Sequence, residues 1–512
     1  MMKRQELKKL IEKIYPGAVF ELYRSFKSDY GDFSTNIAMV MAKKTGQNSI
    51  QIAKTIEKEM KDLFERIEVI GPGFINFFLF KEDIQEELRS ILKKDFGDLK
   101  IGKDKKVQIE FISANPTGPL TVGNARGGPF GDVLGNVFKR AGFKVEKAYY
   151  VNDCGMQIET LGHSVLKDEQ AKYKGKYIEE LNKRIKEKDP YKAGEQASLI
   201  ILNEMIKKTV ERMKIKYDEW FLESNLHKEK KIEKVLGILD KKGLIYEKEG
   251  AKWFKSSEYG DKRDRVVVKA NNHYTYLAGD IAYHRYKFEK KKFDRVINIW
   301  GADHQEDAPG VKAAVQALGH KGKLEFIFLQ FVTLFEKGKE LKMSKRQGNY
   351  VTMEELLNSV GSDITRFFFL QKGANTHLNF DLSLAKEQSE KNPVYYIQYA
   401  FVRINSIFKK AKNQKPSAKN LDLLNHPSEL KLIKQLAMFS DIIEDTVEDY
   451  QVQRIPQYAT DLSSCFHRFY RDCRVLSEDK NLNQVRLSLV LATKLVLKKT
   501  LDMMGISAPD KM

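Results

Sequence analysis

The residues best suited to chemistry fall in two stretches. The first is Ser113-Ala114-Asn115-Pro116-Thr117-Gly118-Pro119-Leu120-Thr121-Val122-Gly123-Asn124, followed by Ala125-Arg126-Gly127-Gly128. It leaves a run with strand character, turns at Gly118 between two prolines, and enters a run with helical spacing (Val133, Val137, Phe138). A turn from strand to helix N-terminus binds phosphate, because unpaired backbone N–H groups and the helix dipole face the anion. Gly123, Gly127 and Gly128 fit neither the dinucleotide fingerprint nor the Walker loop. By itself the turn equally suits a tight connection with no ligand. The second stretch is Lys342-Met343-Ser344-Lys345, in a turn opened by Lys337-Gly338-Lys339-Glu340-Leu341. Two lysines three apart can close on a triphosphate and offset the charge that builds on a departing pyrophosphate. Charge runs of this kind also occur as solvated loops.

The elements that must position these stretches divide into three blocks. Residues 1–85 read as a small α+β domain. Leu7, Leu10, Ile11 and Ile14 share one helical face, as do Ile52, Ile56, Met60 and Leu63, and the stretch 67–80 around Gly71-Pro72-Gly73 reads as two strands and a turn. Residues 105–375 read as an α/β domain with a parallel sheet. Val107, Ile109 and Phe111 alternate with Gln108 and Glu110, and 145–151, Val266-Val267-Val268 and 296–300 are further strands between helical runs. Charged helices over about 156–250 read as an insertion in that domain. From 385 to 512 strand signal fades, and spacings such as Leu487, Leu489 and Leu491 with Leu495 and Leu497 predict an all-helical domain.

Composition narrows the classes. With 42% hydrophobic and 31% charged residues over 512 positions, the chain is globular rather than disordered. A formal charge of +19 favours a polyanionic partner such as nucleic acid. Cys154, Cys465 and Cys473 cannot build a disulfide framework, and they read as small packed residues. The nine histidines include no His-x-x-x-His pair, so no protein-held metal is expected. The apolar runs are too short to span a bilayer and the first residues carry no apolar leader core, so membrane and secreted classes are excluded.

Together the two chemical stretches resemble the two signatures of class I aminoacyl-tRNA synthetases, the second intact as Lys342-Met343-Ser344-Lys345. The surrounding text resembles the arginyl-tRNA synthetase family. It includes Ser113 to Leu120, Tyr149-Tyr150-Val151-Asn152-Asp153, Trp220-Phe221-Leu222-Glu223, Tyr274-Thr275-Tyr276 with Asp280 to His284, and Gly301-Ala302-Asp303-His304. Asn392 to Tyr399 and the ending Gly505 to Pro509 are similar to that family too, as are Tyr30 to Asn36 and Gly71 to Asn76 near the start. The resemblance covers nearly the whole chain. It departs at Thr121 and Asn124, where the family's first signature usually has histidines; hydroxyl and amide can still donate hydrogen bonds, but neither can be a cation.

The resemblance implies a Rossmann-type catalytic domain, an N-terminal tRNA-binding appendage and a helical anticodon-binding domain. It implies a cytoplasmic arginine–tRNA ligase using ATP with Mg2+, L-arginine and tRNA(Arg), and acting as a monomer. A non-catalytic RNA-binding paralogue is the alternative. Gly118, Thr121, Gly123, Asn124 and Gly127 would meet ATP along with Lys342, Met343, Ser344 and Lys345, with Thr121, Asn124, Lys342 and Lys345 acting in catalysis. Asp280 would meet the guanidinium beside Tyr276. Glu110 is a second acidic candidate, and Ser113, Asn115, Asn124 and His304 would complete the arginine site. On the RNA side, Tyr395, Tyr399 and Arg403 lie in an aromatic and basic run that suits single-stranded RNA. On helical spacing, Tyr395, Tyr399 and Val402 equally suit a buried stripe. Tyr30 and Asn36 are the candidates in the N-terminal domain.

Overall fold

The computed structural model describes residues 4–24, 30–341, 351–412 and 414–512. Lys342, Met343, Ser344 and Lys345 lie outside the described residues. In the N-terminal block the strands β1 (Leu22–Arg24), β2 (Phe33–Thr35), β3 (Arg66–Ile70) and β4 (Phe74–Phe78) form an antiparallel sheet in the order β1-β2-β4-β3. Helices Arg4–Ile14, Ile37–Thr45 and Ser49–Met60 accompany it. Leu7, Ile11, Ile52, Ile56 and Met60 are buried along the expected stripes. Leu63 is exposed, because the helix ends at Met60 and a 3-10 turn over Lys61–Leu63 breaks the period.

Strands β5 (Lys106–Glu110), β6 (Lys144–Val151) and β7 (Glu219–Leu222) are followed by β8 (Ile245–Lys248), β9 (Ala251–Phe254) and β10 (Arg265–Val268). Next come β11 (Arg295–Gly301), β12 (Leu324–Leu329), β13 (Val332–Glu336), β14 (Lys339–Glu340) and β15 (Leu378–Asp381). Five of them form one parallel sheet in the order β12-β11-β5-β6-β7, which puts β5 at its centre. That order reverses direction beside β5, and open parallel sheets bind ligands at the carboxyl ends of strands flanking such a switch.

Two expectations need correction. Val266-Val267-Val268 belongs not to the parallel sheet but to the antiparallel set β10-β9-β8, where Val267 packs with Phe254 and Ile281. A β-branched triplet suits any strand, and only its pairing decides which sheet it joins. The stretch 156–250 is helical over Met156–Leu166, Lys176–Arg184 and Pro190–Arg212, but residues 219–222 within it return to the parallel sheet as β7. Four residues were too short a run to stand out among charged helices.

Behind the turn, helix Gly127–Arg140 packs closely on the sheet. A Cβ at Gly131 would sit 2.2 Å from the Phe111 ring and one at Gly135 would sit 2.5 Å from Lys147, so glycine sets the approach distance. Under this helix Asp132 forms ion pairs with Lys147 (2.6 Å) and Arg366 (2.5 Å), all almost fully enclosed. Arg366 also donates to the carbonyls of Met213 (2.7 Å) and Met504 (2.5 Å), tying the α/β block to the last helix.

The C-terminal block consists of helices Pro393–Ala411, Pro427–Ala437, Phe439–Asp449, Arg454–Asp472 and Lys480–Met504. Each apolar stripe faces the others, and a fully buried leucine or isoleucine contributes about 1.5–3 kcal/mol. The N-terminal block docks on these helices through ion pairs: Arg24 with Asp441 (2.8 Å), Lys434 with Asp32 (2.6 Å), and Arg4 with Glu444 (2.9 Å) and Asp445 (2.5 Å).

Candidate active site

Glu110 ends the central strand, and the chain then bends sharply. Ile112 and Ser113 take positive φ values of 65° and 41°, a conformation that a β-branched residue adopts only when its surroundings enforce it. Three tyrosine hydroxyls enforce it by donating to carbonyls of the turn. They are Tyr217 to Phe111 (2.9 Å), Tyr149 to Ala114 (2.8 Å) and Tyr177 to Thr117 (3.0 Å). The bend returns Ser113 Oγ to Glu110, to which it donates at 3.3 Å, while Tyr150 N–H donates to that hydroxyl at 3.1 Å.

Beyond the bend, Thr121 caps the short helix Val122–Ala125. Its Oγ1 accepts from Asn124 N–H at 3.3 Å and donates to Asn124 Oδ1 at 2.7 Å. The two residues that replace histidines therefore touch each other, and the amide NH2 is the donor edge Asn124 can offer an anion. Gly118 is half-buried under the Tyr177 ring, and Gly123 is exposed with open space around it. Gly127, expected at the nucleotide, is instead buried against Ile112 and Leu329, where a Cβ would stand 3.5 Å from each, while the close approach of the helix falls at Gly131 and Gly135.

The segment following the undescribed lysine stretch returns to this turn. Thr352 bridges to Thr121, Val122 N–H donates to Val351 O (3.4 Å), and Met353 N–H donates to Leu120 O (2.8 Å). The chain thus re-enters the described structure beside the phosphate-type turn.

Arg126 is buried and has no carboxylate partner among the described residues. It donates to the carbonyls of Gln330, Gly373 (3.1 Å) and Thr376 (3.0 Å), and burial lowers its guanidinium to about 10. It holds the turn against the end of β12.

The acidic candidates converge on the other side. Helix Tyr276–Arg285 carries Tyr276 and, one turn on, Asp280. Tyr276 is largely exposed, and its hydroxyl accepts from Gln157 (3.4 Å), which in turn accepts from Asn115 (2.6 Å). Gln157 thereby spans two residues expected at the arginine. Below them runs a second chain. Lys287, fully buried on a π-helical turn, donates to Glu110 (2.5 Å) and Asn298 (3.1 Å). Asn298 meets His284 (2.8 Å), which bonds the Asp280 carbonyl (2.7 Å). Single-turn π-bulges of this kind recur at functional sites.

Asp280 itself has no hydrogen bond to its carboxylate among the described residues. Burial, then the charges of Glu110 and Glu223, push its carboxyl well above the ordinary range, and only Lys287 opposes them. Glu223 lies on the other wall: a Cβ at Gly279 would stand 3.3 Å from its Oε1 and 3.9 Å from the Tyr150 hydroxyl. Burial and Asp153 raise the Glu223 carboxyl to about 7 against a hydrogen bond from Tyr150, and Oε2 is buried with no hydrogen-bond partner among the described residues. Three carboxyl groups thus gather around one ammonium, which leaves this part of the structure short of positive charge.

His304 follows β11 as expected but is exposed and bonds Asp307 (3.3 Å). Asp307 is close enough to act on the charge of Asp280. Among the residues missed in the sequence, Glu223 lay inside a noted motif, whereas Gln157 and Lys287 carried no local signal. Ligand atoms of Cys154, Glu223 and His227 lie within 4.8 Å of one another, a grouping that the sequence spacing did not show.

In the helical block, Tyr395, Tyr396, Tyr399, Arg403, His467, Arg468 and Arg471 line a groove of about 680 Å³. Of the three residues that suited a buried stripe, Tyr399 is exposed while Tyr395 and Val402 are half-buried. Val394, Ile397, Ala400, Phe401 and Ile404 form the buried stripe, and Tyr399 faces outward. Tyr395 and Tyr399 stack in parallel at 6.5 Å, and Arg403 lies over the Tyr399 ring at 4.6 Å. Burial and Arg403 lower His467 to about 4, so it is neutral at pH 7. Asn36 is engaged locally by accepting from Glu21 N–H (2.9 Å), and Tyr30 is exposed.

Sequence models of three families match in order. The arginyl tRNA synthetase N terminal domain covers residues 3–79, the class I (R) tRNA synthetase catalytic domain 87–198 and 176–367, and the DALR anticodon binding domain 397–512. The arginine–tRNA ligase of Carboxydothermus hydrogenoformans is 41% identical, over 96% of this chain and 94% of its own. The chain belongs to the arginyl-tRNA synthetase family. The ligase of Listeria welshimeri is 40% identical over 94% of this chain and 92% of its own. Among solved structures, a putative arginyl-tRNA synthetase from Campylobacter jejuni is 34% identical with a TM-score of 0.76, covering 85% of this chain and 100% of its own. The synthetase of Thermus thermophilus shares the fold at a TM-score of 0.79 and 21% identity, each chain covered in full.

Proposed function

We propose that this arginine–tRNA ligase runs both of its half-reactions in the cavity between Glu110, the turn 113–128 and helix Tyr276–Arg285. The arginine guanidinium lies against Asp280 and Glu223 with Tyr276 flanking it. Ser113, Asn115 and Glu110 hold the α-ammonium and carboxylate, and His304 closes the rim. ATP lies along the turn, with Gly118, Thr121, Gly123 and Asn124 on its phosphates. Its magnesium is held by phosphate oxygens and water, because the turn offers donors rather than carboxylates. A carboxylate oxygen of arginine attacks the α-phosphorus, and the bond to the departing pyrophosphate breaks. The terminal ribose hydroxyl of tRNA then attacks the adenylate's carbonyl carbon and AMP leaves. Neither step needs a nucleophile from the enzyme, so positioning and charge carry the rate. Lys342 and Lys345, with Met343 and Ser344 between them, neutralise the leaving pyrophosphate. With no cation at Thr121 or Asn124, that burden falls more on the lysines.

The observation that carries this reading is the convergence of buried carboxyls on the phosphate-type turn, with Gln157 bonded to both sides. The test is arginine-dependent aminoacylation by the purified chain. Lys345→Ala lowers kcat by about 10²–10³-fold with the KM for arginine nearly unchanged; a wild type that charges no tRNA with arginine, or a variant at full rate, rejects it.

The groove at Tyr399 and Arg403 takes unstacked anticodon bases, with Tyr395 beside them, and Tyr30 and Asn36 lie toward another part of the tRNA. Tyr399→Ala weakens tRNA binding by about 1–3 kcal/mol, while Tyr399→Phe keeps most of it because the ring supplies the stacking. Equal losses in both variants would point away from stacking. We propose that the enzyme works in the cytoplasm as a monomer. No helix among the described residues is long and apolar enough to cross a membrane.

A further inference from the structure

The wall of the arginine cavity holds a second set of potential ligands. Cys154 follows β6, Glu223 follows β7, and His227 lies on the short helix Ser224–Lys228. Their sulfur, oxygen and nitrogen ligand atoms lie within 4.8 Å of one another. Around a tetrahedral zinc ion such atoms stand about 3.5 Å apart, so the set must draw in on metal binding, and the exposed His227 ring is the member with room to move. The neighbouring Asp153 carboxylate is already occupied, since it accepts from Ser224 N–H and Oγ at 2.8 Å each. It therefore orients the turn carrying His227 and does not compete for the ion. Glu223 is only 8% exposed, and its Oε2 has no hydrogen-bond partner among the described residues. A buried carboxylate oxygen left without a donor is costly unless something else fills its lone pairs.

We propose that Cys154, Glu223 and His227 bind a borderline-soft divalent cation of the zinc type at the wall of the arginine cavity, and that the ion competes with arginine by occupying Glu223. The ligand set selects the class of metal. Thiolate and imidazole suit zinc or cobalt, whereas magnesium and calcium require oxygen. One thiolate and one carboxylate balance the double charge, and the thiol releases its proton as the metal binds. Without metal, burial and the charges of Glu223 and Asp153 keep the Cys154 thiol protonated, so it is no nucleophile. The competition rests on the reading of the cavity as the arginine site; the metal site does not.

The test is titration of the chelator-stripped full chain with Co2+. One equivalent produces a thiolate-to-cobalt charge-transfer band in the near ultraviolet. Cys154→Ser abolishes the band, His227→Ala weakens binding at least about tenfold, and a Cys465→Ser, Cys473→Ser double variant keeps it. No band in the wild type, or a band that survives Cys154→Ser, overturns the site. In arginine activation, Zn2+ raises the KM for arginine and not that for ATP, and Cys154→Ser removes the effect. A cobalt band with an unchanged arginine KM overturns the competition. A chain that activates no arginine still reports the cobalt band, so failure of the functional reading is distinguishable from failure of the site.

Discussion

Asp280→Ala lowers kcat/KM for arginine by roughly 10²–10³-fold, about 3–4 kcal/mol, while the KM for ATP stays near that of the wild type. The loss is large because the guanidinium, once desolvated, would face Glu223 alone. The fold survives the change, because the Asp280 carboxylate makes no hydrogen bond among the described residues and its burial favours the neutral form. The same residue sets a pH dependence. Burial and the charges of Glu110 and Glu223 raise its carboxyl well above the ordinary range. The ionised form that binds a cation is therefore complete only at pH values above that raised position and is lost as pH falls through it. The wild-type KM for arginine rises on acidification, beginning well above the range of an ordinary carboxylate, whereas Asp280→Asn has weak binding with a shallower slope. An arginine KM in Asp280→Ala equal to the wild type would remove this residue from the guanidinium site.

Asp132→Asn is the second change with a large effect, this time on stability. The carboxylate sits between Lys147 and Arg366 with all three side chains almost fully enclosed. Burial alone would raise its carboxyl, but Arg366 and Lys147 outweigh that and hold it below the ordinary value. Neutralising it strands two buried cations, at a cost of about 3–5 kcal/mol. Calorimetry should show the catalytic block melting roughly 5–15 °C lower. The sign with pH follows from the lowered carboxyl. Its contribution is complete above the unfolded-state value and disappears as pH falls through the folded one, so the wild-type advantage shrinks in acid. Because Arg366 also holds the Met504 carbonyl, the variant loosens the docking of the last helix. A melt within a degree of the wild type would show that the network stabilises little.

Local pattern determined much of this protein by itself. The helical stripes of Leu7 and Ile11, the β5 alternation, the glycine-bearing turn and the helical C-terminal block all depend on neighbours a few residues apart, and period is a property of sequence. The ordered motifs carried the family for the same reason. The fold alone decided what depends on pairing. Val266-Val267-Val268 joined an antiparallel sheet and residues 219–222 a parallel one, because a strand's partner is chosen by packing over long separations. Tyr399 turned outward because Ile397, Ala400, Phe401 and Ile404 already supplied the buried stripe. Gln157, Glu223 and Lys287 came to the site from helices and strands distant in sequence, and Cys154, Glu223 and His227 became neighbours in the same way. A charge or a ligand atom has no meaning until burial sets its dielectric and the fold its neighbours, and both are properties of the tertiary structure.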